Sequence, residues 1–183
     1  MDLGLYGVLA VPRILDYKEG FMEDKIKLLI VDDEVKFLDS IAQRLELRGF
    51  DVTKAKSGQE AIEAAGTGKF DLALLDLKMP GMDGTQVLEI LKKEHKYLEV
   101  IILTGHGSVD SAVECTKLGA FSYLPKPYEL DMLLEKIKEA FQERLRKKFE
   151  QDQARMDKIA KLATGSSALG ILRELRKLDN EEK

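Results

Sequence analysis

Five short apolar runs, each followed by a segment with helical periodicity, constrain this chain more than any other feature. The runs are KLLIV (27 to 31), FDVTKA (50 to 55), FDLALL (70 to 75), EVIILT (99 to 104) and FSYL (121 to 124). A chain that alternates in this way forms a parallel sheet wrapped by crossover helices, because the apolar runs need cover that the amphipathic segments supply. The first, third and fourth runs are apolar almost without interruption, the pattern of strands buried on both faces.

The intervening segments carry readable helix ends. Phe37, Leu38, Ile41, Ala42 and Leu45 form one stripe that stops at Gly49, a residue suited to a left-handed C-cap. Ser57 with Glu60, and Asp83 with Gln86, have capping-box spacing and open the second and third helices; Val87, Leu88 and Leu91 turn the third toward the sheet. Ser108 opens a fourth, which ends before Gly119. A fifth begins near Glu129 and keeps its period through Leu130, Leu134, Ile137, Phe141, Leu145, Phe149, Met156 and Ile159 to about Leu162. GSS at 165 to 167 breaks it, and SALGILRELRKL reads as a short closing helix with Leu172, Leu175 and Leu178 on one side. The predicted class is α/β: a flavodoxin-like (βα)5 doubly wound parallel sheet, strand order 2-1-3-4-5, with an extended C-terminal helix and functional groups at the carboxyl ends of the strands. The 183 residues then divide into an N-terminal extension over 1 to 24, expected to be poorly ordered, a main domain over 25 to 145, and a helical C-terminal tail over 146 to 183.

Charge and cysteine usage narrow the surroundings. The net charge is -4, but between Arg144 and Lys177 ten Lys/Arg stand against four Asp/Glu, so an acidic body carries a basic tail. Cys115 is the single cysteine, which excludes an internal disulfide and a Cys/His zinc pattern and fits a reducing compartment, the cytoplasm. The opening MDLGLYGVLAVPRIL lacks a basic start, contains Pro12 and is shorter than a membrane span, so no signal peptide, anchor or membrane partner is expected. Met22 is an alternative start, because the regular pattern begins only after it.

Reactive side chains follow directly on the runs: Asp32 and Asp33 after the first, Asp76 after the third, Thr104 closing the fourth, Lys126 after the fifth. In the expected order the first strand lies beside the third, which brings Asp32, Asp33 and Asp76 to one sheet edge. Two carboxylates about 4 Å apart repel by roughly 4 kcal/mol at an effective dielectric near 20, so such a cluster calls for a cation, and hard oxygen ligands suit magnesium. Singly, each residue has an ordinary explanation: Asp32 and Asp33 as caps of the first helix, Asp76 as a loop acid, Thr104 as a strand end, Lys126 as a solvated charge. Their joint placement at the strand ends favours a site.

Four segments, IVDDE (30 to 34), LLDLKMPGMDG (74 to 84), ILTGHGS (102 to 108) and GAFSYLPKP (119 to 127), together resemble the signature segments of two-component response regulator receiver domains. The likeness spans about residues 26 to 145 and is greatest to receivers of nitrogen-regulation type activators. It implies that Asp76 is the phosphoacceptor, Asp33 a direct magnesium ligand, Asp32 an outer acidic partner, and the backbone carbonyl of Lys78 a further ligand. It implies also that Thr104 and Lys126 contact the phosphoryl oxygens and that Tyr123 is an aromatic switch turning into the space Thr104 vacates. The phosphodonor implied is a sensor histidine kinase or phosphotransfer protein. The output implied is a change of contacts with a downstream protein target through the fourth helix, fifth strand and fifth helix, with no enzyme activity beyond phosphoryl uptake and hydrolysis. Lys78 and His106 occupy places that influence acyl phosphate lifetime in this family. The Lys126-Pro127 bond is a candidate cis peptide under the resemblance, while trans is the commoner form without it. Gly105 leaves the approach to the site unobstructed, and Pro80, Gly81 and Gly84 supply turn residues after Asp76.

Apolar residues of the fifth helix past Phe141 would face water in a monomer, so a homodimer through that helix is expected, with Asp152 a flaw in its seam. Two other classes fit less well. An aspartyl-nucleophile phosphatase of the haloacid dehalogenase type needs a DxD pattern after the first strand, which is missing here. A DNA-binding output would draw on the basic tail, yet 34 residues follow Phe149, few for a three-helix reader, and neither an ATPase nor a helix-turn-helix motif is recognisable. Nucleic acid is therefore not expected as a partner.

Overall fold

The computed structural model describes residues 25 to 105 and 108 to 165. In chain order the elements are β1 (Lys27–Val31), α1 (Val35–Glu46), β2 (Asp51–Ala55), α2 (Gly58–Thr67), β3 (Leu72–Leu75), α3 (Gly84–Glu94), β4 (Glu99–Thr104), α4 (Val109–Lys117), β5 (Ser122–Pro125) and α5 (Leu130–Gly165). The strands are all parallel, in the order β2-β1-β3-β4-β5. This is the predicted doubly wound sheet. The extension over 1 to 24, the closing helix with Leu172, Leu175 and Leu178, and His106 lie outside the described residues.

Burial follows the apolar runs. β3 and β4 are buried from end to end and β1 is buried after Lys27, whereas β2 and β5 at the sheet margins are partly exposed. Because successive strand residues point to opposite faces, the strands feed two apolar layers. Leu29, Val31, Leu75, Val100 and Ile102 pack under α2, α3 and α4. Leu28, Ile30, Leu74, Ile101 and Leu103 pack under α1 and α5. Each such side chain withdrawn from water contributes about 1.5 to 3 kcal/mol, so the sheet interior is the main source of stability.

Most helix ends match their local chemistry, although the N-cap of α1, Glu34, makes no side-chain cap. Gly49 takes φ +89° after α1, and its N–H donates to the Glu46 carbonyl at 2.9 Å. Asp83 and Gln86 close the capping box that starts α3, and Ser108 with Ser111 closes another at α4. At α2 the Ser57 hydroxyl accepts the Glu60 N–H at 3.2 Å, but the Glu60 carboxylate takes the N–H of Lys56 at 2.8 Å instead of that of Ser57. Half of that predicted box is therefore open. α5 runs for 36 residues to Gly165, a rod of about 54 Å at 1.5 Å per residue. The division drawn at 145 falls inside this one helix. No helix of the described residues is long and apolar enough to cross a membrane.

Candidate functional site

Strand register decides which side chains meet. Val31 pairs with Leu75, so Asp32 and Asp76 leave adjacent strands side by side, and the Asp76 N–H donates to the Val31 carbonyl at 2.9 Å. Across β3, Leu75 pairs with Ile102, two residues before Thr104. Thr104 pairs in turn with Pro125, and the Lys126 N–H donates to the Thr104 carbonyl at 2.8 Å. The ends of β1, β3, β4 and β5 thus converge on one edge.

Lys126 holds the two buried acids together. Its Nζ lies 2.5 Å from Asp32 Oδ2 and 3.5 Å from Asp76 Oδ1. The same ammonium sits over the ring of Phe37, 4.0 Å from the centroid, and Phe37 meets Tyr128 edge to face at 6.4 Å. Such a cation over an aromatic face is favourable by about 0.5 to 2 kcal/mol. Phe37 was read from the sequence only as part of the apolar stripe of α1; its second role depends on α1 meeting the end of β5, which no local spacing encodes. The Lys126–Pro127 peptide is cis, as the family resemblance implied.

The acids differ in their surroundings. Asp32 is 2% exposed, Asp76 6% and Thr104 0%, whereas Asp33 lies exposed on the rim. Asp32 Oδ1 accepts the Glu34 N–H at 2.9 Å, so the residue also supports the start of α1. Asp76 Oδ2 accepts the N–H of Lys78 at 2.8 Å, and the Lys78 side chain is exposed. Burial pushes the Asp76 carboxyl above its ordinary value; the Lys126 charge opposes the rise, Asp32 adds to it, and the hydrogen bonds from the Lys78 N–H and Lys126 lower it.

The loop after Asp76 depends on close backbone approach. A Cβ at Gly84 would lie 2.3 Å from the Asp76 carbonyl oxygen and 2.5 Å from Leu77 Cα, and Gly81 takes φ +86°. Gly84 is therefore required by contact with the backbone of Asp76 and Leu77, a stronger reason than the turn chemistry read from sequence. At Gly105 an added Cβ would meet nothing within 4 Å, which leaves that side of the site open. Tyr123 is half-buried against the α2, α3 and α4 layer, and its hydroxyl stands 3.5 Å from Ser111 Oγ in the first turn of α4.

Among the described residues no three His, Cys, Asp or Glu side chains stand close enough together to hold an ion by themselves. The expected meeting of three acids is therefore reduced to two, Asp32 and Asp76, which share the ammonium of Lys126, while Asp33 follows Asp32 in the chain with its side chain exposed. That donor chemistry fits magnesium, which keeps several waters and takes one or two carboxylates in preference to a full protein cage.

Known proteins carry the same arrangement of elements. The family model for the response regulator receiver domain matches residues 28–138. The chain is 41% identical over 102 residues to the DNA-binding transcriptional regulator NtrC of Klebsiella pneumoniae, covering 56% of this chain and 22% of that protein. It superposes on the CheY-like receiver domain protein of Methanospirillum hungatei JF-1 with TM-score 0.66 and 37% identity, covering 68% of this chain and 99% of that one. For the response regulator TrrA of Thermotoga maritima, solved in complex with Mg(2+)-BeF, the TM-score is 0.58 and the identity 31%, over 62% of this chain and 97% of that one. The chain spans about a quarter of the length of the regulators GlrR and NtrC, and 53% and 60% of the regulators YkoG and FixJ.

Proposed function

This chain belongs to the response regulator receiver domain family, and from that premise we propose that Asp76 accepts a phosphoryl group from the phosphohistidine of a sensor histidine kinase or phosphotransfer protein. The observation that carries the reading is the Lys126 ammonium shared between Asp32 and Asp76 at the carboxyl edge of the sheet. A carboxylate oxygen of Asp76 attacks phosphorus, the bond to the donor imidazole nitrogen breaks, and its electron pair leaves with the imidazole. Lys126 stabilises charge on the transferring group, and Thr104 at the end of β4 takes a second phosphoryl oxygen. Asp33, Asp76 and the Lys78 carbonyl would hold magnesium, with Asp32 outside them; once bound, the ion supplies positive charge to the phosphoryl oxygens.

Phosphorylation adds close to two negative charges beside Lys126. Drawing Thr104 toward them opens room on the neighbouring strand, and Tyr123 turns into it, leaving Ser111. A hydrogen bond to a charged group contributes about 1.5 to 3 kcal/mol, enough to shift a two-state population at least tenfold. The surface of α4, β5 and α5 changes accordingly for a downstream protein target. The receiver over 25 to 145 works in the cytoplasm, and the part of α5 beyond 145 pairs with a second copy. Leu145, Phe149 and Met156, all exposed on α5 at spacings of four and seven, support that pairing.

Labelling with a small phosphodonor and magnesium tests the phosphoryl reading. Wild type takes up a hydroxylamine-labile acyl phosphate and Asp76→Asn takes up none; equal uptake by the variant overturns it. Light scattering with and without beryllofluoride tests the pairing, and a monomer under both conditions excludes it.

A further inference from the structure

The sheet edge opposite Asp76 holds a second cluster of charges that phosphoryl chemistry does not use. Glu99 opens β4 and is 1% exposed, although it is a carboxylate. Its Oε1 accepts from Lys147 Nζ of α5 at 2.5 Å and its Oε2 from Lys92 Nζ of α3 at 3.3 Å. Lys92 also donates to the Leu98 carbonyl at 2.9 Å. Since α3 and α5 cover opposite faces of the sheet, one carboxylate ties both helical layers together around its edge.

A second tie lies one turn away. Arg144 reaches Asp71 Oδ1 at 2.8 Å, and Asp71 Oδ2 accepts the Lys27 N–H at 2.8 Å. Arg144 and Lys147 thereby grip the starts of β1, β3 and β4. The apolar contact of α5 with its layer extends no further than Phe141; beyond it the helix is held by the charges of Arg144 and Lys147, and its last neighbours in the body are Lys96 and Tyr97, beside Lys147, Glu150 and Gln151. A helix without packing frays, because propensity alone stabilises it little.

We propose that Glu99 is a positioning residue that straps α5 to the sheet, fixing the direction in which the helix leaves the body and making the segment from Phe149 to Met156 a rigid arm. The strap acts within one chain and does not depend on the pairing of tails. It also carries any shift of α5 in the receiver body into that segment.

Hydrogen exchange of the full chain, read by mass spectrometry, tests the strap. Lys147→Met severs the α5 side and leaves Lys92 on Glu99. Amides 148 to 158 then exchange about tenfold faster, a larger acceleration than that of the amides of β1 through β4, while phosphoryl uptake at Asp76 stays as in wild type. Glu99→Gln gives the same local acceleration, and Lys147→Arg restores protection. A hundredfold dilution separates the strap from pairing: protection that survives dilution supports the strap, and protection lost with the dimer overturns it. Unchanged exchange of 148 to 158 in both Lys147→Met and Glu99→Gln also overturns it, as does acceleration spread evenly over the whole domain.

Discussion

Replacing Lys126 by methionine removes the ammonium between Asp32 and Asp76 but keeps an apolar stem to pack on Phe37. At an effective dielectric of 20, a unit charge pair at the 3.5 Å separation from Asp76 is worth about 5 kcal/mol, and at the 2.5 Å separation from Asp32 about 7 kcal/mol. The cost of burying the charges offsets most of this, so removing one partner of a buried pair costs about 3 to 5 kcal/mol. Lys126 keeps 19% of its side chain exposed, and each carboxylate retains a backbone N–H donor. The expected loss is therefore at the lower end, about 3 kcal/mol near neutral pH. Its pH dependence is the sharper check. Burial already holds the Asp76 carboxyl above its ordinary value, and Lys126 opposes that rise through both its charge and its hydrogen bond. Without the lysine the carboxyl rises further. For a carboxyl raised in the fold, stability is fully present below the unfolded-state value and is lost as pH rises through the folded-state value. The variant should accordingly approach wild type in acid and fall furthest below it near neutrality. Urea unfolding of both proteins between about pH 4 and pH 8 measures the difference. A loss that is constant over that range, or below about 1 kcal/mol at neutral pH, contradicts a buried charge cluster held by Lys126.

Three further outcomes are expected. Asp76→Asn relieves the burial of a charge while Lys126 keeps Asp32, so it should stabilise the fold by about 1 kcal/mol in neutral urea titrations, with the gain vanishing in acid; a destabilised variant contradicts this. Gly84→Ala drives a methyl group into the Asp76 and Leu77 backbone, which should cost about 1 to 3 kcal/mol and slow phosphoryl uptake; unchanged stability and uptake would show that the loop relaxes freely. Asp33→Asn, an exposed change, should leave metal-free stability within about 0.5 kcal/mol. Magnesium at a hundred times its dissociation constant stabilises a binding protein by about 2.7 kcal/mol, and this response should shrink in the variant; an undiminished response in thermal melts removes Asp33 as a ligand.

The reach and the limits of the linear reading are visible in particular residues. Asp32, Asp76, Thr104 and Lys126 could be picked out because each follows or closes an apolar run, and parallel strands bring such positions to one edge. Gly84 was legible as a turn residue, but not as a contact of 2.3 Å with the Asp76 backbone, since that distance depends on how the loop folds back. Glu99 was read only as the first letter of an apolar run. Its partners stand 7 and 48 residues away, and nothing in their spacing announces that they converge.

Periodicity is a local property, so the sequence by itself determined the alternation of strands and helices, the burial of β1, β3 and β4, and the placement of acids at strand ends. Which charges touch was decided only by the tertiary structure. Lys126 finds Asp32 and Phe37, and Glu99 finds Lys92 and Lys147, because crossover connections set the strand order and lay α3 and α5 on opposite faces of the sheet. An ion pair forms where two side chains end in space, and that position sums every turn of the chain between them.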